Sequence, residues 1–105
     1  MHIYLMGYRG SGKSSVGRRL AERLGLPVVD TDSLIESEAG QSIRQIFSIE
    51  GEAGFRQREA SVLARAAANT TPSVIALGGG AILRPENQRI IASSGRVVWL
   101  QGSPA

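Results

Sequence analysis

The sequence has no cysteine, one histidine, one lysine, two aspartates and four prolines in 105 residues. Without cysteine there is no disulfide framework, no thiolate metal site and no thiol nucleophile. His2 by itself cannot make a histidine-rich metal site. Aromatic residues are only 5% of the chain and scattered, and no run of like charge occurs. The net charge of +3 therefore reads as a solvated surface rather than a nucleic-acid-binding face. Apolar stretches such as Val74 to Leu77 and Val97 to Leu100 fall far short of the roughly 18 residues of a membrane span. The start of the chain, Met1-His2-Ile3-Tyr4-Leu5, has neither a basic lead nor a long apolar segment with a cleavage site, so a cytoplasmic protein is expected. Thirteen glycines are spread among apolar runs without an internal repeat. Residues 1–105 are expected to form one globular domain.

Short, nearly continuous apolar runs alternate with helical patterns. Ile3-Tyr4-Leu5-Met6 reads as a buried strand, and Val16, Leu20 and Leu24 mark one face of an amphipathic helix from Lys13 to Leu24, with Gly25 as its C-terminal cap. Pro27-Val28-Val29 is a second strand. Ser33 with Glu36, and Ser42 with Gln45, have capping-box spacing and predict helices starting near 34 and 43. Residues 51–69 suit a long helix, closed by Asn69-Thr70-Thr71-Pro72. Residues 73–77 are a third strand, Pro85 opens a helix reaching about Ser93, and Arg96-Val97-Val98-Trp99-Leu100 is a fourth strand. The class is α/β, a parallel sheet covered on both faces.

Gly7-Tyr8-Arg9-Gly10-Ser11-Gly12-Lys13-Ser14 fits G-x-x-x-x-G-K-[ST] and stands between a strand and a helix, as a P-loop requires. Glycines let successive N–H groups turn inward around phosphate oxygens, and the helix start adds its positive end. Gly10, Ser11, Gly12, Lys13, Ser14 and Ser15 are the expected nucleotide-binding residues. Lys13 can bring a compact charge to the β and γ phosphates, and the Ser14 hydroxyl can ligate Mg²⁺. The chain otherwise uses eleven arginines, and its one lysine stands where a point charge is wanted. The glycine order is not that of a dinucleotide-binding turn.

The only aspartates, Asp30 and Asp32, end the second strand, and ligands collect at the carboxyl edge of a parallel sheet. Asp30 could serve the magnesium shell through water, and Asp32 could address an acceptor hydroxyl or simply cap the next helix. Arg56 and Glu59 share a helix face, which fits either a surface ion pair or an arginine set to clamp a carboxylate. Gly78-Gly79-Gly80 allows backbone to meet a ligand closely, or is a plain loop.

In this order, the P-loop at 7 to 14, Asp30-Thr31-Asp32, Phe55-Arg56-x-x-Glu59 and Gly78-Gly79-Gly80 resemble shikimate kinase over essentially the whole chain. The resemblance implies a P-loop, nucleoside-monophosphate-kinase-like three-layer fold with sheet order 2-3-1-4-5, in which this chain supplies the first four strands. It implies ATP-dependent, magnesium-assisted phosphorylation of shikimate by a monomer with Lys13 and Asp32 as catalytic residues. It further implies that Asp32, Arg56, Gly78, Gly79 and Gly80 bind shikimate, Asp30 orients a magnesium-bound water, and Glu59 positions Arg56. Family members continue into a lid, a second substrate-binding arginine, a fifth strand and an adenine loop. The chain is thus expected to be the N-terminal portion of such an enzyme. Another small-molecule kinase, acting on gluconate or a nucleoside monophosphate, shares the P-loop, and a noncatalytic nucleotide-binding module is the alternative outside enzymes.

Overall fold

The computed structural model describes residues 1–7, 13–78 and 80–100. Strand β1 (His2–Gly7) leads to α1 (Lys13–Leu24), β2 (Val28–Asp30), α2 (Thr31–Ala39), α3 (Ile43–Ala68) and β3 (Val74–Ala76). A 3₁₀ turn (Ala81–Leu83), α4 (Pro85–Ser94) and β4 (Gly95–Leu100) follow. The four strands form one parallel sheet in the order β2-β3-β1-β4. This is the order expected for the first four strands.

Alternation along the central strands divides the core into layers. Tyr4 and Met6 of β1 join Ile75 and Leu77 against Leu63 of α3 and Ile91 of α4. Leu5 and Val74 point to the other face, where Ala21 and Leu20 of α1 cover them. A third cluster, Ile35, Ile46, Phe55 and Val62, joins α2 to α3. The sheet is therefore covered on both faces. At the β4 side, Val98 and Trp99 are exposed, Trp99 at 63%.

His2 fastens the start of β1. Its Nδ1 accepts from the Ser73 backbone N–H at 3.1 Å, which leaves Nε2 to donate to the Ala67 carbonyl at 3.1 Å. The buried ring thus ties β1 to the end of α3 and the approach to β3.

Helix ends mostly follow their sequence signals. Gly25 takes φ 67, and Leu26 N–H returns to the Ala21 carbonyl at 2.9 Å, closing α1. Pro85 opens α4. Ser42 and Gln45 form the expected capping box at the head of α3. The helix expected near 34 differs. It begins at Thr31 with Asp30 as its cap, and Asp30 Oδ1 accepts from Ser33 N–H at 3.2 Å. Asp30 is still extended from β2, so its carboxylate faces the first free N–H groups. Glu36, released from a box with Ser33, accepts instead from Ile43 N–H at 2.9 Å and links α2 to α3. The two helices expected to either side of residue 51 are both present within α3 and meet at Gly51, whose φ 75 and ψ −178 are not helical.

Candidate active site

Beyond the carboxyl ends of β2 and β3 the chain turns into Asp30-Thr31-Asp32 and Leu77-Gly78. Thr31 is buried and joins the two ends. Its hydroxyl donates to the Ala76 carbonyl at 3.2 Å and accepts from Gly78 N–H at 3.3 Å. That bridge sets Gly78 beside Asp32: a Cβ on Gly78 would lie 2.6 Å from Asp32 Oδ1. Gly80 approaches Arg56 in the same way, since a Cβ there would fall on the guanidinium group. Glycine at both positions gives the carboxylate and the guanidinium their room.

Arg56 comes from α3. Its Nη1 donates to Glu59 Oε1 at 3.0 Å, and Glu52 lies at 3.8 Å from Nε. The Arg56–Glu59 pair is not on the surface, because Glu59 is 1% exposed. Glu59 Oε2 is buried and has no hydrogen-bond donor among the described residues. Burial pushes the Glu59 carboxyl above its ordinary range; Arg56 opposes this, the Asp32 charge adds to it and Arg84 opposes it weakly.

Asp32, Glu36, Arg44, Phe47, Arg56 and Glu59 line one cleft of about 540 Å³, together with Gly78 and Gly80. That volume suits a small metabolite. The cleft presents two guanidinium groups and several carboxylates, with Phe47 and Phe55 as an apolar wall whose rings stack at 4.7 Å and 28°. Such a site can grip a carboxylate and hydroxyl groups together.

Of the residues singled out in the sequence, Asp32, Arg56, Glu59, Gly78 and Gly80 are brought together here. Asp30 stands two residues away as a helix cap. Ser15 is exposed in the first turn of α1. Lys13 and Ser14 open that helix, but their side chains, and Gly10, Ser11, Gly12 and Gly79, lie outside the described residues. Thr31, Glu36, Arg44 and Phe47 were not foreseen. Asn87 was also missed. It is buried, and its Nδ2 donates to the Ala81 carbonyl at 2.9 Å, bracing the turn that follows Gly80. Only Thr31, between the two aspartates, carried a positional hint.

A parallel sheet in the order 2-3-1-4 with a polar cleft beyond its carboxyl edge defines a P-loop kinase-like α/β fold. The shikimate kinase family model matches residues 9–105, and the chain belongs to that family. It is 57% identical over 104 residues to the shikimate kinase of Symbiobacterium thermophilum, covering 99% of this chain and 59% of the relative. The structure of shikimate kinase from Acinetobacter baumannii in complex with shikimate superposes with a TM-score of 0.89 at 45% identity, over 94% of this chain and 55% of that one. A gluconokinase from Sinorhizobium meliloti gives a TM-score of 0.63 at 27% identity, over 97% of this chain and 58% of that one. The chain thus spans somewhat more than half the length of these relatives.

Proposed function

We propose that the chain is the nucleotide- and shikimate-binding part of a kinase that moves the γ-phosphoryl of ATP to the 3-hydroxyl of shikimate. The observation that carries the reading is the convergence of Asp32, the Arg56–Glu59 pair, Gly78 and Gly80 in one cleft of a shikimate kinase family member. In this reading Arg56 clamps the shikimate carboxylate, held in place by its bond to Glu59. Asp32 takes the proton of the acceptor hydroxyl as that oxygen bonds to the γ-phosphorus, and the bond from phosphorus to the β,γ-bridging oxygen breaks to release ADP. Lys13 and the loop amides neutralise the phosphates.

Magnesium enters as the MgATP co-substrate. Among the described residues no group of three or more His, Cys, Asp or Glu could hold a cation. In this reading the ion is bound mainly by phosphate and water, with Ser14 and a water on Asp30 as the protein's share. Asp30 Oδ1 caps α2, which leaves Oδ2 for that water. We propose a cytoplasmic protein and, following the family resemblance, a monomer. Among the described residues no helix is long and apolar enough to cross a membrane.

ADP formation from MgATP with and without shikimate tests the assignment. Shikimate-dependent turnover lost in Lys13→Ala and reduced about 10²-fold or more in Asp32→Asn supports it. Turnover that ignores shikimate, or survives Asp32→Asn at near the wild-type rate, contradicts it.

A further inference from the structure

The bend in α3 is held from outside the cleft. Gly51 has φ 75 and ψ −178, a backbone region that only glycine occupies without strain. Residues 43–50 before it form an arm, and Ile43, Arg44 and Phe47 of that arm line the cleft. On another side of the helix, Glu50 folds back to Arg58, with Arg58 Nε donating to Oε1 at 3.0 Å and Nη2 to Oε2 at 2.7 Å. Residues eight apart in a straight helix stand about 12 Å apart along its axis, so this bidentate contact depends on the bend. The hydrogen bond from Arg58 holds the Glu50 carboxyl below its ordinary range, and the same bond raises Arg58.

Gly54 supplies the space. A Cβ on Gly54 would strike the Glu50 Cβ and lie 2.9 Å from Glu50 Oε1. Glycine is a poor residue for a helix interior, and the fold-back of Glu50 explains its use here. Glu38 also faces Arg58 but is itself bound by Arg65 at 2.8 Å, so it does not compete for the clamp. These side chains border a separate cavity of about 310 Å³. Within the arm, Phe47 is stacked on Phe55, and the Arg56 guanidinium stands 5.2 Å from the centre of the Phe55 ring. The angle of the arm is thereby passed to the wall beside Arg56.

We infer that Glu50 and Arg58 are positioning residues for the shikimate cleft: their clamp across Gly51 fixes the angle of the 43–50 arm and so the width of the cleft. The inference rests on the function proposed above. Neither residue lines that cleft.

The test is calorimetric titration of the chain with shikimate and, separately, with MgADP, for wild type, Arg58→Gln, Arg58→Lys and Gly54→Ala. The expected result is a shikimate Kd raised about fivefold in Arg58→Gln and Gly54→Ala, an unchanged MgADP Kd, and partial recovery in Arg58→Lys. Gly54→Ala presses on the Glu50 Cβ itself and so shifts the arm directly, and urea unfolding of the same variants beside the titrations separates positioning from stability. A shikimate Kd unmoved in both variants overturns the inference, as does an equal loss of shikimate and nucleotide binding. Failure of the wild-type chain to bind shikimate overturns the functional reading, and this inference with it.

Discussion

Asp32 occupies the space that a side chain on Gly78 would need, its Oδ1 lying 2.6 Å from the position of a Cβ there. The preceding residue, Thr31, holds Gly78 N–H. Two consecutive residues at the head of α2 thus fix the end of β3 against the carboxylate. Gly78→Ala must push Asp32 aside. The expected outcome is a loss of shikimate affinity of about tenfold or more with a stability change of only about 1–2 kcal/mol, read by calorimetry and urea unfolding.

Arg56 and Glu59 should behave as one unit in stability and as separate groups in binding. Arg56→Met leaves the Glu59 carboxylate buried without its cation and is expected to cost about 2–4 kcal/mol. The double variant Arg56→Met/Glu59→Met should regain most of that loss, since a buried pair replaced by apolar groups of similar size is often neutral. Its shikimate affinity should remain lost, because the clamp is gone. Denaturant unfolding of both variants beside shikimate titration checks the two parts.

Much of the sheet and most of the helix ends were legible in the sequence, because glycine, proline and hydrophobic period mark them locally. The start of α2 was not. Asp30, Asp32 and Ser33 are all good N-caps within four residues, and the choice is made by the pairing of Asp30 with Ala76, which ends the strand there. The i, i+3 spacing of Arg56 and Glu59 showed a pair but not its burial, which comes from α2, the bent arm and the glycine turn closing around it. The Glu50–Arg58 clamp was invisible for a related reason: an eight-residue separation has meaning only once Gly51 has bent the helix.

The pH dependence of stability should carry two opposite slopes. Burial raises Glu59 above the ordinary value near 4.5, so between that value and its own the folded state holds more protons than the unfolded one. Its contribution to stability therefore falls as pH rises through that interval. Glu50 is lowered by its bond to Arg58, so its contribution is present above the ordinary range and is lost as pH falls through its depressed value. Melting temperatures of wild type, Glu59→Gln and Glu50→Gln between about pH 3 and 7 check this. Each variant should lose its own slope.

His2 should matter to stability and not to binding. His2→Phe removes the acceptor for Ser73 N–H and leaves that buried group unpaired, at a cost of about 1–3 kcal/mol. His2→Gln, which can offer an acceptor and a donor, should cost less. Thermal unfolding ranks the three proteins, and an unchanged shikimate Kd in both variants confirms that the site is not involved.

Calorimetric titration of the chain with shikimate and with gluconate, for wild type, Asp32→Ala and Arg56→Ala, asks directly what the cleft binds and through which side chains. Saturable one-to-one binding of shikimate is expected, weaker by about tenfold or more in each variant, with gluconate binding far behind. No shikimate binding, tighter gluconate binding, or shikimate affinity indifferent to both substitutions contradicts a shikimate site built on Asp32 and Arg56.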